Sequence, residues 1–385
     1  MIYYLISRNL EWLEAHHLGF LRVFTFQTFK AAIAVVLSFV ICIALGPRVI
    51  NWLRRQKIGD LAEFDQAEIN KLMEGKKGTP TMGGVLIIFS IVLTTLLLAD
   101  LANFYVRMGL VCVSMLGGIG AIDDWLKLTA ARRDGNRQGL KSIEKLLFQV
   151  GLAAILSYYT FYYAQNIEAN HTFYFPIFKE LQIPLGVVAF VIVGTIVITG
   201  SSNAVNLTDG LDGLAAGTMA IVSFTFLVLT LVVGLLPPWN DEVLNYLYLP
   251  WIQGGAEMSI LAGAMLGACL GFLWYNCNPA RVFMGDTGSL ALGGLIGYIA
   301  IVIRQELMLF LIGGIYVAEA LSVLLQVGWF KYTRRRYGEG RRIFLMAPLH
   351  HHFQRKGWTE NQVVVRFWLI GVMLAALALA TVKLR

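Results

Sequence analysis

Charged residues are scarce in this sequence: Asp, Glu, Lys and Arg make up 14% of its 385 residues, against about 25% in a soluble globular domain. That shortage excludes an ordinary water-soluble domain. The composition is 57% hydrophobic, with a mean hydropathy of +0.66, and apolar runs of roughly 17 to 23 residues recur, each long enough to cross the hydrocarbon core as a helix. Alternating strand-length segments are missing, which excludes an outer-membrane barrel. Cysteine is also sparse. Cys42, Cys112, Cys269 and Cys277 lie in or beside apolar runs with no metal-type pair spacing, so they read as small buried hydrophobes rather than zinc ligands or disulfides. No Walker A pattern and no His-Glu-x-x-His occurs, which removes the commonest nucleotide and zinc motifs. The first twenty residues lack a basic start and a short apolar core, so no cleaved signal peptide is expected. The fold class is all-α, a polytopic integral membrane protein.

Ten spans are predicted, over roughly 24–46, 83–99, 105–122, 146–164, 184–200, 214–236, 257–275, 288–303, 307–330 and 366–383, with ends good to a few residues. Of the 31 Lys and Arg, 22 fall in the alternate connections 47–82, 123–145, 201–213, 276–287 and 331–365, and 6 on the other side. The positive-inside rule puts the first set in the cytoplasm and both termini outside. Residues 1–385 are one integral membrane domain, and those five cytoplasmic segments are expected to form the active site.

The densest polar stretch is Asn203-Ala-Val-Asn-Leu-Thr-Asp-Gly-Leu-Asp-Gly213, set between two apolar runs. Asp209 or Asp212 alone would serve as a cap for the next helix, but two acids and two amides exceed what a cap needs. Ionisable groups at a hydrocarbon edge mark function and call for a cationic partner. Asp123 and Asp124 end the run Met115–Ile122. If the helix continues past them, their side chains point about 100° apart, so one faces the centre; the alternative is a solvated pair neutralised by Lys127 or nearby arginines. Asp286 sits between Gly285 and Gly288, as a helix cap or as a hard-cation ligand with backbone free to approach phosphate. Lys76, Lys77, Thr79 and Thr81 precede Gly83-Gly84, a combination that suits phosphate at a helix start, though taken alone it suits positive-inside anchoring with a Pro80 turn better. His350, His351 and His352 follow Pro348, either to hydrogen-bond a substrate or as a polar headgroup-level loop. Carboxylates without Cys select magnesium or manganese over zinc. Acids, a divalent ion, lysines and glycine turns on one membrane face together suit phosphoryl transfer, with a lipid as one reactant. A transporter would place its ionisable residues near the midplane between repeats, and neither is visible.

Lys76–Gly84 (KGTPTMGG after one further Lys), Ile122-Asp-Asp124, Asn203–Gly213, the segment Val282–Gly294 and Met346-Ala-Pro-Leu-His-His-His-Phe353 make the chain resemble the bacterial phospho-N-acetylmuramoyl-pentapeptide-transferase family of the polyprenyl-phosphate N-acetylhexosamine-1-phosphate transferases. The resemblance covers nearly the whole chain, and the histidine segment selects this branch. It implies attack of undecaprenyl phosphate on the β-phosphorus of UDP-N-acetylmuramoyl-pentapeptide, giving lipid I and UMP with Mg²⁺, or the same chemistry on another UDP-N-acetylhexosamine. By the same resemblance Asp286 ligates Mg²⁺, Asp123 is the candidate base and Asp124 supports the centre. Asn206 and Asp209 meet the diphosphate, Asp212, Lys76, Phe283 and Gln326 the uridine side, and Thr81, His350 and His351 complete the substrate site. It further implies the bacterial inner membrane, lipid contact, a homodimer and no nucleic-acid partner. One departure is visible: where relatives carry an Asn-Asp-Gly-Pro-type run with a His, this chain reads Ile58-Gly-Asp-Leu-Ala-Glu-Phe-Asp-Gln66.

Overall fold

Two helices form the axis on which the others stand. In the computed structural model, residues 2–56, 78–134, 139–164, 171–175, 178, 181–235 and 249–383 are described. Three short helical segments at the start, α1 (Ile2–Arg8), α2 (Leu10–Ala15) and a 3₁₀ turn (Gly19–Thr25), lead into α3 (Gln27–Arg55). Then follow α4 (Gly84–Leu98), α5 (Phe104–Asp134) and α6 (Ser142–Tyr163). A small antiparallel hairpin, β1 (Thr172–Tyr174) with β2 (Gln182–Pro184), precedes α7 (Val187–Thr208) and α8 (Leu214–Leu235). The rest comprises α9 (Met258–Asn276), α10 (Gly285–Val302), α11 (Glu306–Ile312), α12 (Gly314–Tyr337), α13 (Leu349–Arg355) and α14 (Glu360–Lys383).

The axis is α9 and α10, whose apolar cores are 78% and 89% buried, against 28% for α3 and 33% for α14. A helix apolar all round belongs inside, and small residues let its neighbours close on it. Against α10, Ser201 of α7 donates its Oγ–H to Gly293 O at 2.7 Å and Ser202 to Leu290 O at 2.9 Å. A Cβ at Gly297 would stand 3.0 Å from Ile198 Cα, and one at Gly294 would strike the Leu116 side chain of α5. On α9, a Cβ at Gly271 would lie 3.0 Å from the Phe39 carbonyl of α3. The outward faces of α3, α12 and α14 carry exposed Val36, Val40, Leu324, Leu325, Leu369 and Met373, the surface expected to meet lipid.

Eight helices among the described residues are long and apolar enough to cross a membrane, and the pair α11–α12 counts as a ninth if its 84° bend is one broken span. The predicted span at 83–99 appears as a helix of 15 residues, shorter than the roughly 20 that a straight crossing takes. The predicted span at 307–330 is the broken pair. The described residues therefore show an all-α, multi-helix architecture with eight helices of membrane-spanning length and composition. Cys42, Cys112 and Cys269 are buried as expected, whereas Cys277 is exposed.

At the end of the bundle away from the polar motifs, charge is buried in pairs. Lys30 Nζ meets Glu257 Oε1 at 2.5 Å, and Arg304 meets Glu306 at 2.8 Å with both side chains 2% exposed. Arg304 also donates its Nε–H to Thr172 O at 3.1 Å, which ties the hairpin to α10. At the opposite end the segments around residues 80, 123, 206, 283 and 350 converge.

Candidate active site

The N-terminus of α10 is the centre of that convergence. Gly285 enters it with φ +73, a left-handed conformation that glycine adopts without strain. Two chain segments are laced together just before it. Gly83 N–H donates to Phe283 O at 2.8 Å, Gly84 N–H to Met284 O at 2.9 Å, and Phe283 N–H to Pro80 O at 2.8 Å. Thr81 thereby stands beside Gly285, whose added Cβ would lie 3.0 Å from the threonine Oγ1.

Helix α5 continues through Asp134, so Asp123 and Asp124 lie on one uninterrupted helix. Sequence geometry predicted that one of them faces the centre; both are buried, at 1% and 5% exposure. They divide the work. Asp124 turns to the start of α10, where its Oδ2 accepts the Thr287 N–H at 3.0 Å and the Thr287 Oγ–H at 2.7 Å, and its Oδ1 accepts the Asp286 N–H at 3.2 Å. The cap of α10 thus comes from another helix rather than from Asp286 itself, and the positive end of the helix dipole favours both acids.

Asp123 turns the other way, toward two lysines. Lys127 Nζ lies 2.6 Å from Asp123 Oδ2 and 3.0 Å from Asp286 Oδ2, and Lys145 Nζ lies 3.3 Å and 2.6 Å from the same two atoms. Leu140 N–H donates to Asp123 Oδ1 at 2.8 Å. The shared cation that the acidic cluster demanded is, within the chain itself, a pair of ammonium groups. Lys127 was visible as a neighbour four residues on. Lys145 was not singled out, and the only signal for it was the basic count of the segment 123–145.

From α7, Asn206 donates one amide to Asp286 Oδ1 at 2.8 Å and to Ser289 Oγ at 2.9 Å. Asp209 terminates that helix. Burial, then the nearby charges of Asp286 and Asp124, push its carboxyl up to about 8, with a hydrogen bond from Gly285 N–H pulling part of the way back.

The remaining candidates spread outward. Asp212 is buried: its Oδ2 accepts from Asn278 Nδ2 at 3.2 Å and Ala280 N–H at 3.0 Å, while its own N–H donates to Glu360 Oε1 at 2.8 Å. It ties the turn to the segment after α9 and to α14. Phe283 is half-buried in the lacing strand. Gln326 holds Ile343 and Phe344, accepting both N–H groups at 3.0 Å. The histidines separate. His350 is buried against Gly210, His351 Nδ1 is 2.9 Å from Gln354 Oε1, and His352 Nδ1 accepts Leu345 N–H at 3.1 Å. Burial, then Lys356, lowers the His352 pKa, which suits a neutral acceptor. Lys76 and the divergent run after Ile58 lie outside the described residues.

Comparison with known families places the chain. The model of glycosyl transferase family 4 matches residues 106–304, a stretch that runs from α5 through α10 and holds every aspartate named above. The chain belongs to this family. A second, shorter match is the phospho-N-acetylmuramoyl-pentapeptide-transferase signature 1, over residues 76–88, and it places the chain in that branch. The resemblance drawn from the motifs is thereby shown, and a phospho-sugar transferase in a membrane bundle is the coarse identity.

For a divalent ion the donor chemistry fits. No group of three or more His, Cys, Asp or Glu side chains able to hold a metal occurs among the described residues. Magnesium does not need one, since it is commonly bound through one or two carboxylates with water and substrate phosphates completing the shell. The carboxylate oxygens of Asp123, Asp124 and Asp286 are the hard donors such an ion would meet here, with Lys127 and Lys145 beside them.

Proposed function

We propose that this protein transfers phospho-N-acetylmuramoyl-pentapeptide from its UDP-linked precursor to undecaprenyl phosphate, forming lipid I and UMP. One observation carries the reading: the matched signature is hydrogen-bonded through Gly83 and Gly84 to the two residues that precede the aspartate centre. A motif of this branch therefore lies against the proposed site.

In this reaction a phosphate oxygen of the lipid attacks the β-phosphorus, and the bond from that phosphorus to the α–β bridging oxygen breaks, leaving UMP with the electron pair. The lipid phosphate has a second pKa of about 6 and attacks as it stands at neutral pH. Asp123, committed to two ammonium groups and the Leu140 N–H, then acts by holding Lys127 and Lys145 where the diphosphate charge develops. Positioned cations in a water-poor site provide most of the catalysis in such transfers. Asp286 would hold Mg²⁺, which when bound would neutralise phosphate charge. Asn206 fixes the Asp286 carboxylate and with Asp209 lines the diphosphate side, Lys76, Asp212, Phe283 and Gln326 line the uridine side, and Thr81, His350 and His351 complete the substrate site.

The setting that accompanies this reading is a bacterial inner membrane protein with ten crossings, both ends outside, its site open to the cytoplasm, and a homodimeric assembly. The basic excess of the site-bearing segments supports that orientation. The test is purified protein with undecaprenyl phosphate, UDP-N-acetylmuramoyl-pentapeptide and Mg²⁺. UMP should appear, and Asp286→Asn should nearly abolish it. Faster turnover with UDP-N-acetylglucosamine as donor would transfer the assignment to a related hexosamine transferase, and no UMP from either donor would defeat it.

A further inference from the structure

Glu319 has no part in the roles assigned so far, yet it is a fully buried carboxylate in α12, 0% exposed. Such a group costs several kcal/mol unless it is paired and hydrogen-bonded. Its Oε1 accepts the backbone N–H of His350 at 3.1 Å and stands 3.2 Å from the His350 Nδ1. Among the described residues its Oε2 has no hydrogen-bond partner, and neither do His350 Nδ1 and Nε2, although the histidine is only 1% exposed; the 3.2 Å approach of Nδ1 to Oε1 is an ion-pair distance without hydrogen-bond geometry. Unsatisfied buried polar atoms of this kind call for an explanation.

Their direction provides one. The imidazole stands against Gly210, where an added Cβ would fall onto Nε2 and come within 2.9 Å of Cε1. One ring nitrogen therefore faces Glu319 and the other faces the turn between Asp209 and Gly213. The next two histidines are engaged elsewhere, His351 with Gln354 and His352 with Leu345. His350 stands against a carboxylate and presents its far edge to that turn.

A purely structural role is available, because Glu319 Oε1 satisfies an N–H at the start of α13. A neutral amide oxygen would do that equally well. The charge and the contact at Nδ1 are more than the cap requires.

We propose that Glu319 is the positioning residue of His350. It receives the Nδ1–H, fixes the ring, and stabilises the imidazolium in which Nε2–H is offered to an oxygen of the substrate's diphosphate at the Asp209–Gly213 turn. A carboxylate behind an imidazole does this work in hydrolytic triads, here directed at an anion and without transfer of the proton. The inference rests on the transferase reading of the same site.

The test is a double-mutant cycle on UMP release by the full-length protein. Glu319→Gln keeps an acceptor for the α13 N–H and removes the charge. Its kcat should fall about tenfold or more while KM for the UDP precursor changes less than threefold. In a His350→Ala background the same substitution should change kcat by less than twofold. If Glu319→Gln leaves kcat within twofold of the wild type, or lowers it equally in both backgrounds, the proposal is overturned. A second measurement needs no Glu319 variant: ¹⁵N spectra of ring-labelled wild type, with the His350 signals identified by their loss in His350→Ala. Protonation of both ring nitrogens supports the proposal, and an unprotonated Nδ1 or Nε2 defeats it. Failure of the wild type to release UMP would count against the transferase reading, and the ring spectrum would then decide the pairing alone.

Discussion

Asp124 caps the helix whose first turn carries Asp286. Its two oxygens take the N–H groups of Asp286 and Thr287 and the Thr287 hydroxyl, which holds one acid in place by means of the other. Removing the cap should therefore loosen the start of α10 as well as the site. Asp124→Ala is expected to lower stability by about 1–2 kcal/mol, the range for losing a helix cap, and to reduce UMP release far more than that loss of folded protein explains. Thermal unfolding in detergent beside turnover separates the two effects, and equal turnover per folded molecule would argue against this role.

The lysine pair makes a second prediction. Lys127 and Lys145 each bridge Asp123 and Asp286, so loss of either leaves two acids facing one cation. Lys145→Met should reduce kcat by roughly 10² to 10³, the magnitude found when a preorganised electrostatic group is removed. Lys145→Arg should recover part of it. A Met variant as active as the wild type would remove Lys145 from the chemistry.

The pH behaviour follows from Asp209, held at about 8 against about 3.9 for a free aspartate. Its folded-state pKa is raised, so the stability linked to its neutral form is complete below pH 4 and is lost as pH rises through about 8. Metal-free protein should thus be less stable at pH 9 than at pH 6, and Asp209→Asn should flatten that slope. A divalent ion at the centre favours the ionised form, so Mg²⁺ binding near pH 7 should release a proton. Titration calorimetry in buffers of different ionisation enthalpy measures that release, and it should shrink in Asp209→Asn.

The last prediction concerns the packing under the signature. Gly84 approaches the Gly288 backbone so closely that an added Cβ would overlap it, with Thr287 C at 2.8 Å. Both neighbours are main chain and cannot rotate away. Gly84→Ala should destabilise the protein by about 1–3 kcal/mol, the usual penalty for overpacking, and displace the Gly83–Phe283 hydrogen bond. An unchanged melting temperature would show that α4 and α10 separate more easily than their contacts suggest.

Much of this was legible in the residues. Run length located eight of the helices, and the crowding of polar groups in Asn203–Gly213 located the turn that meets His350. What stayed hidden was pairing over long sequence separations. Asp124 and Thr287 are 163 residues apart, and nothing local says that a helix start will receive the second acid and free the first for the lysines. Lys145 lies across a loop from Asp123, and Glu319 hides within an apolar helix, where its histidine partner is 31 residues on. The bend at Gly313 was likewise silent, because composition continues smoothly through it while the backbone turns by 84°.

The burial of α10 sets the mechanics of turnover. Its glycines admit the backbone of α7 at Gly293 and Gly297, the Leu116 side chain of α5 at Gly294, and α4 at Gly288. A rod gripped at those four stations can neither slide nor rotate without forcing several partners apart. Asp286, seated on its tip, is therefore a fixed anvil. Any travel during the catalytic cycle must be made by the substrate and the surrounding loops, so variants that alter turnover by changing motion should map to the connections and leave α10 silent.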